Sequence, residues 1–250
     1  MKLKKIEEAL LASEVFTFEL AGDNGLLDPK FKQRMYTLIN LALSDLHQRF
    51  HIREESVLLK ANPDIKRYQL IPENSVLTKA DGYILDTAEN PFKGDILEVL
   101  RVKLPNQTEH TINQVTNTHN FYGGVYHNGK VSNTSSLIST PTSSELSFST
   151  SPTEAIYEVI YKADSLPIDI PNATSDTEVI IHNTYLNAIC YFVASKMYNP
   201  AGAESIGRSM FHEGNNWSSK YEDECRRIKD NLSGNKSLTE MSNFERGGWV

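Results

Sequence analysis

Cysteine is scarce: Cys190 and Cys225 are the only two in 250 residues. Each falls inside a helical pattern, so they read as reduced core thiols, and a disulfide-stapled framework is excluded. Positive charge is in deficit too. A formal net charge of -7 argues against a protein that coats nucleic acid with a basic surface. It leaves room for a surface that DNA slides past, where repulsion of phosphates is useful. No apolar run approaches the length of a membrane-spanning helix. The start, Met1-Lys-Leu-Lys-Lys, is basic, but acidic residues come next and the apolar run is too short for a signal peptide. Without a secretory signal, the Asn-x-Ser/Thr triplets at Asn106, Asn133 and Asn172 are expected to be chance. Missing as well are Gly-x-Ser-x-Gly, His-Glu-x-x-His and any cysteine with a nearby histidine in a nucleophile signature. The expectation is a soluble chain that is not an enzyme and carries no metal or cofactor.

The residues that are present suit a globular protein. Hydrophobic residues make up 39% and charged residues 23%, and the length permits a real core. The stretch from Ser175 to Tyr198 organises the rest. Ser175 and Glu178 have the spacing of a capping box ahead of an apolar run. Wound as a helix, it puts Val179, Leu186, Cys190, Val193 and Met197 on one face and Ile181, Tyr185, Ala188 and Phe192 on another. Only a stripe with Thr184, Asn187 and Ser195 stays polar, so this helix is expected to be sandwiched between others. Pro200 is where it can stop.

Partners for it lie at both ends of the chain. Residues 2–12 carry Leu3, Ile6, Ala9 and Leu10 at helical spacing. Asp28-Pro29 announces a second helix, with aspartate at the cap and proline at the first position. Its stripe runs Met35, Leu38, Ile39, Ala42, Leu46 and Phe50. Near the other end Trp217, Tyr221, Cys225, Ile228 and Leu232 recur at helical intervals. Beyond Leu232 the chain is poor in apolar residues and is expected to form a flexible arm over 233–250. An aromatic residue at the end of such an arm can fill a partner's groove.

The middle differs. From Ser56 to about residue 165, short apolar runs alternate with Pro, Gly, Asn, Ser and Thr, the signature of strands. Val57-Leu-Leu, Tyr68-Gln-Leu-Ile, Ile96 to Leu104, Thr111 to Val115, Glu145 to Ser149 and Ala155 to Ala163 qualify. Asn128-Gly129, between Val125-Tyr126 and Val131, is a hairpin signal because both residues tolerate positive φ. The fold class is therefore α+β: a helical bundle from 1–54 and 168–232, with an antiparallel β-rich insert over 55–167. The expected bundle core is Leu38, Leu46, Phe50, Val179, Leu186, Val193, Trp217, Tyr221 and Ile228.

Several motifs imitate chemistry. His47 and His51 stand four apart, but no third metal ligand is marked. Gly202-Ala-Glu-Ser-Ile-Gly-Arg-Ser209 imitates a phosphate loop, with arginine where lysine is needed and a helix where a strand should precede. Asp81-Gly82 lacks the other ligands of a calcium loop. Phe121, Tyr122 and Tyr126 could stack on sugar faces, although aromatic residues in strands more often pack a sheet.

Several stretches in this order resemble the head-to-tail connector adaptors of short-tailed bacteriophages, the tail tubular protein A type. They are Leu38-Ile-Asn-Leu-Ala-Leu-Ser-Asp-Leu-His-Gln-Arg-Phe50 and the strand from Glu55, then Gly94-Asp-Ile-Leu-Glu-Val-Leu100. The polar run to Thr140-Pro141, Glu158-Val-Ile-Tyr-Lys-Ala163, the central helix and Lys220-Tyr-Glu-Asp-Glu-Cys225 complete the set. Parts of residues 106–135 match nothing in that pattern. The resemblance implies a structural virion protein of the neck between capsid and tail, made in the host cytoplasm. It implies a ring, commonly of twelve copies, docked on a portal protein ring and on a tail tube or nozzle protein. DNA would pass through the lumen without sequence-specific binding, and no membrane is involved. A C-terminal arm would reach the portal, carried here by Phe244, Arg246, Trp249 and Val250. Two other roles compete: a tail-tube terminator or baseplate component, and a carbohydrate-binding module built on the β region.

Overall fold

The computed structural model describes residues 1–12, 29–104, 109–110, 125–127, 130–132, 138–198 and 208–245. The chain is α+β, with antiparallel sheets, and divides into two compact units. One comprises Met1–Phe50 with Ser165–Val250, the other His51–Asp164. No described helix is long and apolar enough to cross a membrane.

Among the described residues the first unit holds four α-helices: α1 (Leu3–Ala12), α2 (Pro29–Arg49), α3 (Leu186–Tyr198) and α4 (Arg208–Glu245). Helix α3 packs against each of the other three. Ala188, Ile189 and Val193 on it are fully buried, as are Leu3, Ile6, Ile39 and Leu46 on its neighbours. Each such valine, leucine or isoleucine side chain, taken from water, contributes roughly 1.5–3 kcal/mol.

The start of that central helix differs from the expectation drawn from Ser175 and Glu178. Residues 175–182 are not helical. Their backbone groups bond instead to the first residues of the chain: Lys4 N–H donates to Ser175 O at 2.9 Å and Val179 N–H to Met1 O at 2.8 Å. The Ser175 hydroxyl donates to Glu7 Oε2 (3.0 Å) rather than capping a helix. Glu178 forms a bridge with Lys2. Backbone partners supplied from far along the chain thus displaced a local cap. Val179 and Ile181 are buried all the same, from an extended segment. The helical path begins with one 3-10 turn, Asn183–Tyr185, where His182 Nδ1 accepts from Thr184 N–H. Histidine is not among the preferred capping residues, so this start is invisible to cap rules.

At the other end, α4 continues through residues 233–245, where a flexible arm was expected. Leu238, Glu240, Met241 and Glu245 have good helical propensity, and an established helix extends at less cost than a new one nucleates.

Among the described residues the second unit has ten strands. They are β1 (Glu54–Lys60), β2 (Arg67–Gln69), β3 (Ile84–Leu85), β4 (Ile96–Lys103), β5 (Glu109–His110), β6 (Val125–His127), β7 (Lys130–Ser132), β8 (Ile138–Ser139), β9 (Glu145–Phe148) and β10 (Ile156–Ala163). They form a five-stranded sheet β3-β1-β10-β4-β5, a three-stranded sheet β2-β9-β8 and the hairpin β6-β7. The hairpin pairs Tyr126 with Val131 and His127 with Lys130, which leaves 128–129 as its connection. Thr111 to Val115 lies outside the described residues.

The two larger sheets share one core. On β10, Tyr157, Val159 and Tyr161 are buried as their alternation suggests; of the two isoleucines on the other side, Ile156 is exposed but Ile160 is buried as well. The Tyr157 ring lies 5.4 Å from Phe148 on β9, which lies 5.7 Å from Tyr68 on β2. The buried Tyr68 hydroxyl donates to Asn62 O (2.9 Å) and accepts from Asn62 N–H (2.7 Å), so burial leaves it satisfied. Gly94, just before β4, adopts φ 69°, and a Cβ there would meet Pro72 Cδ at 2.8 Å. Only glycine fits such a position without strain.

Both cysteines are free and buried. Burial pushes the Cys190 thiol up to about 12. It raises Cys225 too, against a smaller opposing hydrogen bond with Tyr221. Since the thiolate is the reactive form, native protein should give almost no colour with a thiol reagent at about pH 8, near the free thiol pKa. Denatured protein should give two equivalents, the number of cysteines in the chain. A rapidly reacting thiol in the native state would contradict this burial.

Candidate functional site

The strand ends of the second unit converge on one arginine. Arg53, immediately before β1, is 8% exposed. Ala163 N–H donates to Arg53 O (3.0 Å) and Asp164 N–H to Asp95 O (2.8 Å), drawing the entry to β4 and the exit of β10 beside it. The guanidinium then spans them. Nη1 donates to Asp95 Oδ2 at 2.7 Å and to Asp164 O at 2.8 Å, and Nε donates to Glu55 Oε1 at 3.0 Å. Tyr161 donates its hydroxyl to Asp95 Oδ1 at 3.2 Å. Burial first, then the charge of Asp95, raise the Tyr161 pKa, so its phenol stays a donor.

Beside this cluster a half-open cleft of about 290 Å³ runs between β1 and the segment after β3. Its far wall is braced. Ser75 Oγ donates to Asp86 Oδ1, and Phe92 N–H donates to Asp86 Oδ2 at 2.9 Å. The Phe92 ring meets Tyr161 edge-on at 6.2 Å, and Asn90 N–H closes a turn onto Thr87 O at 3.0 Å. Burial alone would raise the Asp86 pKa, but the hydrogen bonds from Phe92 and Ser75 outweigh it and hold the carboxylate below its ordinary value. A depressed carboxylate stabilises the fold fully above the unfolded value of about 4. That stabilisation is lost as pH falls through the folded value. The drop in melting temperature between about pH 6 and pH 3 should therefore be smaller in Asp86→Asn than in the parent, by roughly 2–4 °C. Equal drops would remove Asp86 from the account.

The cleft is lined by carboxylates, a guanidinium, an ammonium and the hydroxyl-bearing Ser56, Thr87 and Tyr161. Among the described residues no group of three His, Cys, Asp or Glu could hold a metal ion. The arrangement can therefore bind polar and charged groups. Sequence reasoning missed it. A strand-initial arginine among acidic residues reads as solvated charge, and Asp95 lies too far along the chain to announce itself as its partner.

The residues singled out from sequence take up different places. Leu46, Phe50, Val179, Val193, Trp217, Tyr221 and Ile228 are buried in the first unit. Leu38 and Leu186 are only half-buried. The buried stripe of α2 runs Met35, Tyr36, Ile39, Ala42, Leu43 and Leu46, which leaves Leu38 at its margin. Leu186 stands where the 3-10 turn hands over to α3. Phe244 belongs to the last turn of α4, while Arg246, Trp249 and Val250 lie outside the described residues. His47 is buried on α2, whereas His51 is exposed and pairs with Glu54 at 3.2 Å. Phe121, Tyr122 and Gly202–Gly207 lie outside the described residues, and Tyr126 is in β6.

The first unit also carries a polar tie between α2 and α4. Arg49 reaches both oxygens of Glu222, at 2.7 and 2.8 Å, and its Nε lies 2.7 Å from Asp45. Asp45 accepts from the Tyr221 hydroxyl. The Arg49 hydrogen bond holds Glu222 below the usual carboxylate range. A two-pronged arginine contact of this kind fixes the geometry of a pair as well as adding energy.

No protein-family model matches the chain, and no curated protein matches it.

Proposed function

We propose that this chain is a head-to-tail adaptor of a short-tailed bacteriophage, of the tail tubular protein A type. On this reading the N- and C-terminal segments form a helical bundle and the β-rich segment is inserted between them. The protein works in the neck of the virion, as a ring between the portal ring and the tail tube or nozzle. The observation that supports it best is the order of the elements. Helices from both ends of the sequence pack on α3, and the continuous stretch His51–Asp164 makes a separate antiparallel unit. That is the layout the resemblance implies.

A further feature agrees with it. The net charge of -7 suits a lumen that does not hold on to passing DNA. Phe244, Arg246, Trp249 and Val250 then serve as the portal contact, presented by the end of α4 and the residues after it.

The test is solution mass, measured on the chain alone and then with a portal ring from the same virus. An adaptor joins the portal as a fixed multiple, and deletion of everything after Leu232 abolishes that binding. A chain that ignores the portal yet forms rings or tubes belongs further down the tail. One that stays monomeric in both conditions is not an adaptor.

A further inference from the structure

The cleft beside Arg53 has one wall made of open sheet edge. Strand β1 pairs with β10 along its whole length, from Glu54↔Lys162 to Lys60↔Ile156. On its other side β3 covers only Leu58 and Leu59. In an antiparallel ladder, alternate residues turn both N–H and C=O toward the same neighbour. Lys60 N–H donates to Tyr83 O at 2.8 Å, which identifies the even-numbered residues of β1 as those facing β3. Ser56 and Glu54 therefore aim their backbone groups to that side, where the chain has already left the sheet. Beyond Leu85 it departs through Asp86 and the turn at Thr87–Asn90, and it forms the opposite wall. Ser56 thus presents a backbone donor and acceptor to a cleft instead of to a strand.

Proteins seldom leave an edge in this form, because unpaired strand backbone is a template for another chain. Here the edge is recessed rather than blunted. The wall across from it is held by the two Asp86 hydrogen bonds and by Phe92 packed on Tyr161. A volume of about 290 Å³ is small for an enclosed small-molecule site. Open to solvent and lying along a strand, it suits a short length of extended chain. From Glu54 to Val57, where the edge is open, such a chain would run about 10 Å, at roughly 3.3 Å per residue.

Charge narrows the occupant. The lining carries Glu55, Asp86 and Asp95 against Arg53 and Lys93. Two positive and three negative groups leave one negative charge in excess, and with Arg53 held between the largely buried Asp95 and the exposed Glu55 that excess is presented to a visitor at Glu55. Leu58 and Leu85 add apolar surface beside the open edge.

We propose that this cleft receives an extended segment of a partner protein that carries a lysine or arginine and pairs with Ser56 as an added strand. Backbone hydrogen bonds would supply the register and the basic side chain the selectivity, as in other cases of strand addition. The proposal does not depend on the role in a virion.

The test selects peptides on the full chain from a random displayed dodecapeptide library, and repeats the binding on Ser56→Pro. Proline removes the N–H that faces the cleft and leaves the bonds to β10 in place, a setting in which a strand tolerates it. Selected peptides should carry a basic residue and slow exchange of the Ser56 amide by about tenfold or more. They should bind Ser56→Pro at least about tenfold more weakly, and replacing their basic residue by glutamate should cost a similar factor. Peptides that bind the variant equally well, leave the Ser56 amide unprotected, or tolerate glutamate would overturn the proposal, as would a selection that yields none. If Ser56→Pro does not fold, protection of the Ser56 amide in the unaltered protein decides by itself.

Discussion

Arg53→Ala should destabilise the β unit by about 3–5 kcal/mol, the range for breaking a buried ion pair from one side. The loss has a particular origin. Arg53 and Asp95 have side chains only 8% and 13% exposed, so alanine strands a carboxylate that water barely reaches. Tyr161 still donates to it at 3.2 Å, which compensates in part. Asp164 O loses its guanidinium donor as well. The Glu55 contact matters far less, because that carboxylate is 44% exposed and solvent screens it. Hydrogen exchange in segments 54–60 and 156–163 is the appropriate reading, since those strands end at the cluster. Protection there should fall while α3 keeps its own. Replacing Arg53 and Asp95 together by apolar residues of similar size should restore much of the loss, because a missing pair costs less than a broken one. If Arg53→Ala costs under about 1 kcal/mol, the cluster is effectively a solvated surface pair.

The second large effect belongs to α3. Ile189→Ala should cost about 2–5 kcal/mol, the sum of lost transfer energy and an unfilled cavity. Ile189 is 0% exposed and sits on the helix that touches α1, α2 and α4, so no single neighbour can collapse to fill the gap. The readout is convenient: neither tryptophan, Trp217 or Trp249, lies in residues 51–164. The midpoint of a fluorescence-monitored urea transition should therefore drop markedly. Leu41→Ala on α2 supplies the contrast, since Leu41 is 52% exposed and its loss should stay within about 0.5 kcal/mol. Similar losses at the two positions would mean that α3 is not the element the unit is built on.

Much of this protein is determined by local pattern. The periodicity of Leu3, Ile6 and Leu10, and of Met35, Ile39, Ala42 and Leu46, sets two helices and their buried faces, because a 3.6-residue period depends on nothing distant. The alternation of Tyr157, Val159 and Tyr161 sets a strand and its inner face for the same reason. The α+β class and the change of character near residue 56 follow from those periods. The hairpin flanking 128–129 follows from two residues that tolerate positive φ. The burial of Cys190 and Cys225 follows from their place in apolar stripes.

Other features were decided only by tertiary contacts. Ser175 and Glu178 satisfy the local rule for a helix start, yet residues 1–4 offer the 175–179 backbone better partners from far along the chain. Leu38 fits a helical stripe, but the buried stripe runs beside it because α2 packs on a particular neighbour. The candidate site is the clearest case. Arg53, Asp95, Tyr161 and Asp164 come from three separate stretches, and the open edge at Ser56 exists because β3 ends after Leu85. Strand length and cross-strand register set that geometry, and both depend on which segments meet in space. Periodicity along the chain reports which face of an element is buried, but it carries no record of what lies across from it.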